Sequence, residues 1–139
     1  MSDLRIAQAQ RLSGKAHEHQ ERSDGTQYSF HIQAVVSLVR GYGHNHVIVA
    51  WLHDVVEDTE VTLKDLINEG FDIAVINAVE AITKRDGEGY ASFILRCSQN
   101  SIARTVKMAD LTHNLSDHPE NQRKQKYEMA LMFLQGTFK

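Results

Sequence analysis

The apolar run Val47-Ile48-Val49-Ala50-Trp51-Leu52 leads directly into His53-Asp54-Val55-Val56-Glu57-Asp58-Thr59. A helix that is apolar all round is a buried helix, so the fold has to carry His53, Asp54, Glu57 and Asp58 into or against its core. Burying those four side chains without partners is very costly. Something cationic is therefore expected at that point, and a bound metal ion is the simplest candidate.

Elsewhere apolar residues recur at helical spacing, no segment sustains strand-type alternation, and Pro119 is the only proline. These features predict an all-α fold, a single compact helical bundle. The first helix is expected over Leu4 to Gln20, ending before the turn-rich Arg22-Ser23-Asp24-Gly25. A second runs from Phe30 to Arg40. A third, from Asn45 to Val56, carries the ionisable residues. Thr62 and Asp65 form a capping arrangement for a short fourth helix closed by Gly70. Further helices are expected over Ile73 to Thr83, Tyr90 to Cys97 and Ser101 to Leu115. The last, opened by Pro119 in its first turn, runs to Leu134.

At 139 residues the chain suits one domain, residues 1–139. A net charge of −3 with both signs interspersed offers no basic footprint, which argues against bulk nucleic acid as a partner. One cysteine, Cys97, allows neither an internal disulfide nor a cysteine-based zinc cluster, and fits a reducing compartment. No apolar run exceeds six residues, so no membrane span is expected. The amino terminus does not read as a signal peptide, and a cytoplasmic protein is expected. A homo-oligomer is as compatible with the sequence as a monomer.

On the third helix His53 and Glu57 are four apart, as are Asp54 and Asp58, giving one polar patch over a helical turn. His31 shares a face with Ala34, Val35 and Leu38, and Asp110 shares one with Ala103 and Val106. Each residue also has a plainer reading. A histidine on an apolar face is commonly a hydrogen-bonded core residue, Glu57 and Asp58 could be solvated, and Asp110 could pair with Lys107 or an arginine. Their joint occurrence favours a metal site. The mixture of imidazole and carboxylate suits Mn, Fe, Zn or another divalent ion better than calcium.

The spacing of His31, His53-Asp54 22 residues later and Asp110 a further 56 on resembles the H...HD...D signature of the HD superfamily of metal-dependent phosphohydrolases. Within it, the chain is similar to the hydrolase domain of RelA/SpoT-type alarmone enzymes and to stand-alone small alarmone hydrolases. Arg22 to His31, Trp51 to Thr59 and Val106 to Leu115 carry the likeness, which spans about residues 15 to 135. It implies an HD domain in which His31, His53, Asp54 and Asp110 are ligands of one divalent metal ion, manganese first, with Fe, Zn, Co or Ni as alternatives. Glu57 and Asp58 match a pair that activates the attacking water. Arg22, Tyr28, Asn114, Arg123 and Tyr127 match substrate contacts.

The implied activity is removal of the 3′-pyrophosphate from guanosine 3′,5′-bis(diphosphate), ppGpp, by a hydrolase without a synthetase segment; the partner is then a small nucleotide. Ile32 stands where the family usually has proline. Leu111-Thr112 replaces the arginine-leucine that usually follows the aspartate, which predicts a lost positive charge beside the metal. Lys84 and Arg85 are candidates to replace it, or an ordinary exposed turn. Rival readings are a general HD nucleotidase acting on nucleoside monophosphates and a non-catalytic nucleotide sensor.

Overall fold

The computed structural model describes residues 2–22, 24–117 and 119–136, and every extended regular element among them is helical. In chain order these are α1 (Ser2–Ala16), α2 (Tyr28–Val39), α3 (His44–Leu52), α4 (Val55–Asp58), α5 (Leu63–Asn68), α6 (Ile73–Ile82), α7 (Tyr90–Ser98), α8 (Ser101–Ser116) and α9 (Asn121–Leu134). A 3-10 turn, Arg40–Tyr42, joins α2 to α3. The expected all-α architecture is what forms.

The apolar run dictates the layout. Val47 to Leu52 are all buried on α3, and α1, α2, α6 and α8 pack around that helix. Because α2, α3 and α8 also touch one another, polar residues at their shared end are brought together inside the core. That junction is where His31, His53 and Asp110 lie.

Four expectations about local structure need correction. The third helix does not run on to Val56. It ends at Leu52, and Asp54, with φ −109° and ψ 0°, leads into the separate turn α4. The Ala50 carbonyl, which a continuous helix offers to the residue four ahead, accepts from His53 Nδ1 at 2.7 Å. A side-chain donor there competes with the helical ladder.

α1 stops at Ala16 rather than Gln20 because the backbone beyond it is committed elsewhere. The Gln20 carbonyl accepts from the Tyr28 amide and the Arg22 amide donates to the Thr26 carbonyl, with Glu21 and Gln27 forming an isolated bridge. Asp24 Oδ1 accepts from the Thr26 amide and hydroxyl, and Gly25 takes φ +87° to close the turn. Ser23, part of the expected turn, lies outside the described residues.

On α2 the buried stripe runs through Ile32, Val35, Val36 and Val39 with His31 on its edge, so Leu38 is 49% exposed instead of sharing the inner face. Pro119 precedes Glu120, the N-cap of α9, and is not in the first turn. The capping box on α5 forms as expected, between Thr62 and Asp65.

Arg96 of α7 organises the loop after α6. Its guanidinium donates to the Thr83 carbonyl at 2.8 Å and to both carboxylate oxygens of Glu88 at 2.8 and 2.9 Å. The hydrogen bonds from Arg96 hold the Glu88 carboxyl down to about 2, from an ordinary 4.5. A depressed carboxylate stabilises the fold fully above its unfolded pKa and loses that contribution as pH falls through the folded one. Between about pH 4.5 and 2 the melting temperature should therefore drop more steeply for the wild type than for Glu88→Gln. Parallel curves would show that the pair contributes nothing.

Candidate metal centre

The four candidate ligands come from three parts of the packing. His31 comes from the first turn of α2, Asp110 from the middle of α8, and His53 and Asp54 from the break between α3 and α4. One ligand atom from each of the four can be chosen so that all lie within 4.8 Å of one another. His31, His53 and Asp110 are buried and Asp54 is half-buried. His31 Nε2 is 2.8 Å from Asp110 Oδ1, and His53 Nε2 is 3.1 Å from Asp54 Oδ2 and 3.4 Å from Asp110 Oδ1.

The cluster fits a cation. Because a carbonyl only accepts, the bond to Ala50 puts the proton of neutral His53 on Nδ1 and leaves a lone pair on Nε2. That Nε2 is buried and has no hydrogen-bond partner, yet it faces two carboxylates. Lone pair against carboxylate is repulsive unless a positive charge sits between them. Burial opposes charge on His53, but Asp54 and Asp110 outweigh it and hold the imidazole well above its ordinary pKa, so these carboxylates draw a positive charge to Nε2, a metal ion or, without one, a proton. Burial likewise works against ionising Asp54, and the neighbouring His53 overrides it, bringing the carboxyl to about 2. Two imidazole nitrogens and two carboxylates form a donor set for a divalent transition ion.

Neighbours fix the ligands in turn. Tyr28 donates its hydroxyl to Asp54 Oδ2. Lys107 Nζ, 2.9 Å from Asp110 Oδ2, leaves Oδ1 facing the two histidines. Asn114 Nδ2 lies 3.4 Å from that Oδ1. His31 Nδ1 is 2.8 Å from His113 Nδ1, which is 3.1 Å from Arg22 Nη1. Arg22 also donates to Asn114 Oδ1 at 3.1 Å and pairs with Asp117.

Glu57 and Asp58 stand on α4, open to solvent overall but with protein packed round their carboxyl ends. That desolvation, aided by the Asp54 charge, raises both from their ordinary values. Glu57 Oε1 accepts from the Lys84 amide at 2.9 Å, and Asp58 is hydrogen-bonded by the Gln20 side chain.

The expected substrate contacts divide into two groups. Arg22, Asn114, Arg123 and Tyr127 line one cleft of about 410 Å³, which Asp117 and Glu120 also border. Tyr28 does not line it; its hydroxyl is committed to Asp54. Lys84 and Arg85 lie in the loop beside Glu57, where their amides serve Glu57 and Glu88. Leu111 is 0% exposed within the apolar core, and the cation beside Asp110 is Lys107, with Nζ 2.9 Å from Oδ2.

Three residues of this arrangement escaped the sequence reading. His17 is buried, donates from Nδ1 to Gln20 Oε1 at 2.7 Å, and packs against the Tyr28 ring. The fourfold spacing Ala9, Ser13, His17 signals that inner face, since all three are buried. Gln20, two residues before Arg22, and His113, next to Asn114, carry no signal beyond that nearness.

A model of the HD domain matches residues 9–101. The chain belongs to the HD domain family. Its His/Asp cluster is of the kind with which HD domains bind a divalent metal. The matched segment ends before Asp110, so the closeness of that residue to His31 is what the structure adds. Among curated relatives, this HD domain is 33% identical over 117 residues to the guanosine-3′,5′-bis(diphosphate) 3′-pyrophosphohydrolase of Haemophilus influenzae, covering 75% of the chain and 17% of that protein. It is 32% identical over 124 residues to the bifunctional (p)ppGpp synthase/hydrolase SpoT of Escherichia coli K12, covering 80% and 18%. The chain thus spans less than a fifth of these relatives' length. A solved structure described as a metazoan ortholog of SpoT that hydrolyses ppGpp shares the fold, with TM-score 0.75, 20% identity, and coverage of 94% of this chain and 84% of that one. Among the described residues no helix is long and apolar enough to cross a membrane.

Proposed function

We propose that this HD domain is a metal-dependent phosphohydrolase that removes the 3′-pyrophosphate from guanosine 3′,5′-bis(diphosphate). The observation that carries the reading is the meeting of four ligand atoms within 4.8 Å, one of them an orphaned buried nitrogen, beside two carboxylates with raised pKa. The names of the relatives supply the substrate class.

His31, His53, Asp54 and Asp110 hold one divalent ion, for which we propose manganese, with Fe, Zn, Co or Ni as the alternatives. When bound, such an ion polarises a phosphoryl oxygen and makes a nearby water more acidic. Glu57 and Asp58 accept the proton of the attacking water and fix its direction, and desolvation of their carboxyl ends makes them better bases. The water oxygen attacks the inner phosphorus of the 3′-diphosphate in line with the 3′ oxygen. The P–O3′ bond then breaks, and the 3′ oxygen takes up a proton. Arg22, Asn114, Arg123 and Tyr127 bind the nucleotide in their shared cleft, with Arg123 offering two parallel donors to a phosphate. Lys84 and Arg85, beside Glu57, meet the departing pyrophosphate. We further propose that residues 1–139 act as one unit in the cytoplasm.

The test is a turnover screen of manganese-loaded protein against ppGpp and against nucleoside mono-, di- and triphosphates. Turnover of ppGpp above the others supports the proposal, and turnover of monophosphates alone would favour a general nucleotidase. Within the same assay, Arg123→Ala should raise KM for ppGpp by about tenfold, the scale of one hydrogen bond to a charged group, with a smaller change in kcat. An unchanged KM would remove Arg123 from the binding site.

A further inference from the structure

We propose that His113 is a positioning residue that sets the tautomer of His31, so that an Arg22–His113–His31 chain keeps the His31 Nε2 lone pair aimed at the cation site. The inference rests on the metal reading above and concerns how one ligand is prepared.

The chain starts at a group with no choice. A guanidinium only donates, so His113 Nδ1, 3.1 Å from Arg22 Nη1, must accept and cannot itself carry hydrogen. That same nitrogen is 2.8 Å from His31 Nδ1. Because His113 Nδ1 carries no hydrogen, the hydrogen between the two rings has to belong to His31 Nδ1, and the single lone pair of His113 Nδ1 is shared between His31 and Arg22. Neutral His31 then has its lone pair on Nε2, the nitrogen 2.8 Å from Asp110 Oδ1 and within the ligand cluster.

The opposite tautomer is the one His31 would adopt by itself. Asp110 Oδ1 is a strong acceptor at hydrogen-bond distance from Nε2, and a hydrogen on Nε2 would satisfy it while blocking the metal. It would also set two lone pairs against each other 2.8 Å apart at the His31–His113 contact. The two ligand histidines are thus prepared differently. His53 is fixed by the backbone carbonyl of Ala50, whereas His31 depends on a side chain 82 residues away. His113 is well placed for this because it stands three residues beyond Asp110 on α8, so one helix presents a ligand and the group that orients its neighbour. Arg22 is held for its part by Asn114 and Asp117 on the far side.

Two substitutions separate this role from packing. Asparagine places its side-chain oxygen as far from the backbone as the Nδ1 it replaces, so His113→Asn keeps an acceptor for His31. His113→Leu removes it. In the metal-free protein, ring nitrogen NMR should show His31 carrying hydrogen on Nδ1 in the wild type and in His113→Asn, and shifting to Nε2 in His113→Leu. Titration with Mn2+ should give His113→Leu an affinity about 10- to 100-fold weaker, as is usual on losing such a partner, and His113→Asn an affinity near wild type. Equal weakening in both variants, or unaltered affinity and protonation in His113→Leu, would overturn the proposal. So would wild-type His31 with hydrogen on Nε2 and none on Nδ1, a result that needs no variant to fold. Failure of the wild type to bind any divalent ion would instead count against the metal reading, with the tautomer measurement still deciding the role of His113.

Discussion

Replacing Asp110 by alanine is expected to abolish divalent-metal binding and to lower the stability of the metal-free protein by about 3–5 kcal/mol, the usual cost of leaving one member of a buried ion pair uncompensated. Asp110 serves two masters within a few ångströms: Oδ2 neutralises Lys107 at 2.9 Å, and Oδ1 faces His31 and His53. Both charges are largely buried, with side-chain exposures of 15% and 6%. Alanine would leave the Lys107 ammonium buried with no counter-ion. The double variant Asp110→Leu with Lys107→Met should recover much of the stability without restoring metal binding. Urea unfolding of the metal-free variants, together with elemental analysis, checks both halves. A loss below about 1 kcal/mol, or one metal retained per chain, would show that Asp110 does not hold this position.

The second large effect separates catalysis from binding. Glu57→Gln and Asp58→Asn preserve shape but remove the proton acceptor, so turnover should fall by roughly two to four orders of magnitude, the range for a positioned acid or base. Metal content should stay at the wild-type level, since neither residue belongs to the ligand cluster. Glu57→Gln retains a side-chain oxygen to accept the Lys84 amide, which keeps the adjoining loop in place. Near-wild-type turnover in both variants would remove them from the mechanism.

The ligand cluster could be read from the sequence because burying charge in an apolar helical bundle is costly enough to be conspicuous. That cost points to a cation near His53, Asp54, Glu57 and Asp58, whereas the particular set His31, His53, Asp54 and Asp110 is implied by the resemblance, and the structure brings those four within 4.8 Å. The break at His53-Asp54 was not legible, since the fourfold spacing of ionisable residues continues through it and no proline or glycine marks it. It depends on His53 competing for the Ala50 carbonyl. The hydrogen-bonding of His113 was hidden for a different reason: its partners, His31 and Arg22, are 82 and 91 residues away in the chain. Leu111 leaves its position without charge, and the cation that lies against Asp110 is Lys107, which the sequence offers only as an ordinary ion-pair partner. Arg123 and Tyr127 were accessible only through resemblance, and the cleft they share with Arg22 and Asn114 gives them a physical setting.

The most direct test is to supply manganese-loaded protein with guanosine 3′,5′-bis(diphosphate) and identify the products. Release of pyrophosphate together with guanosine 5′-diphosphate is the expected result. Recovery of the substrate intact, or release of inorganic phosphate alone, would contradict a 3′-pyrophosphohydrolase.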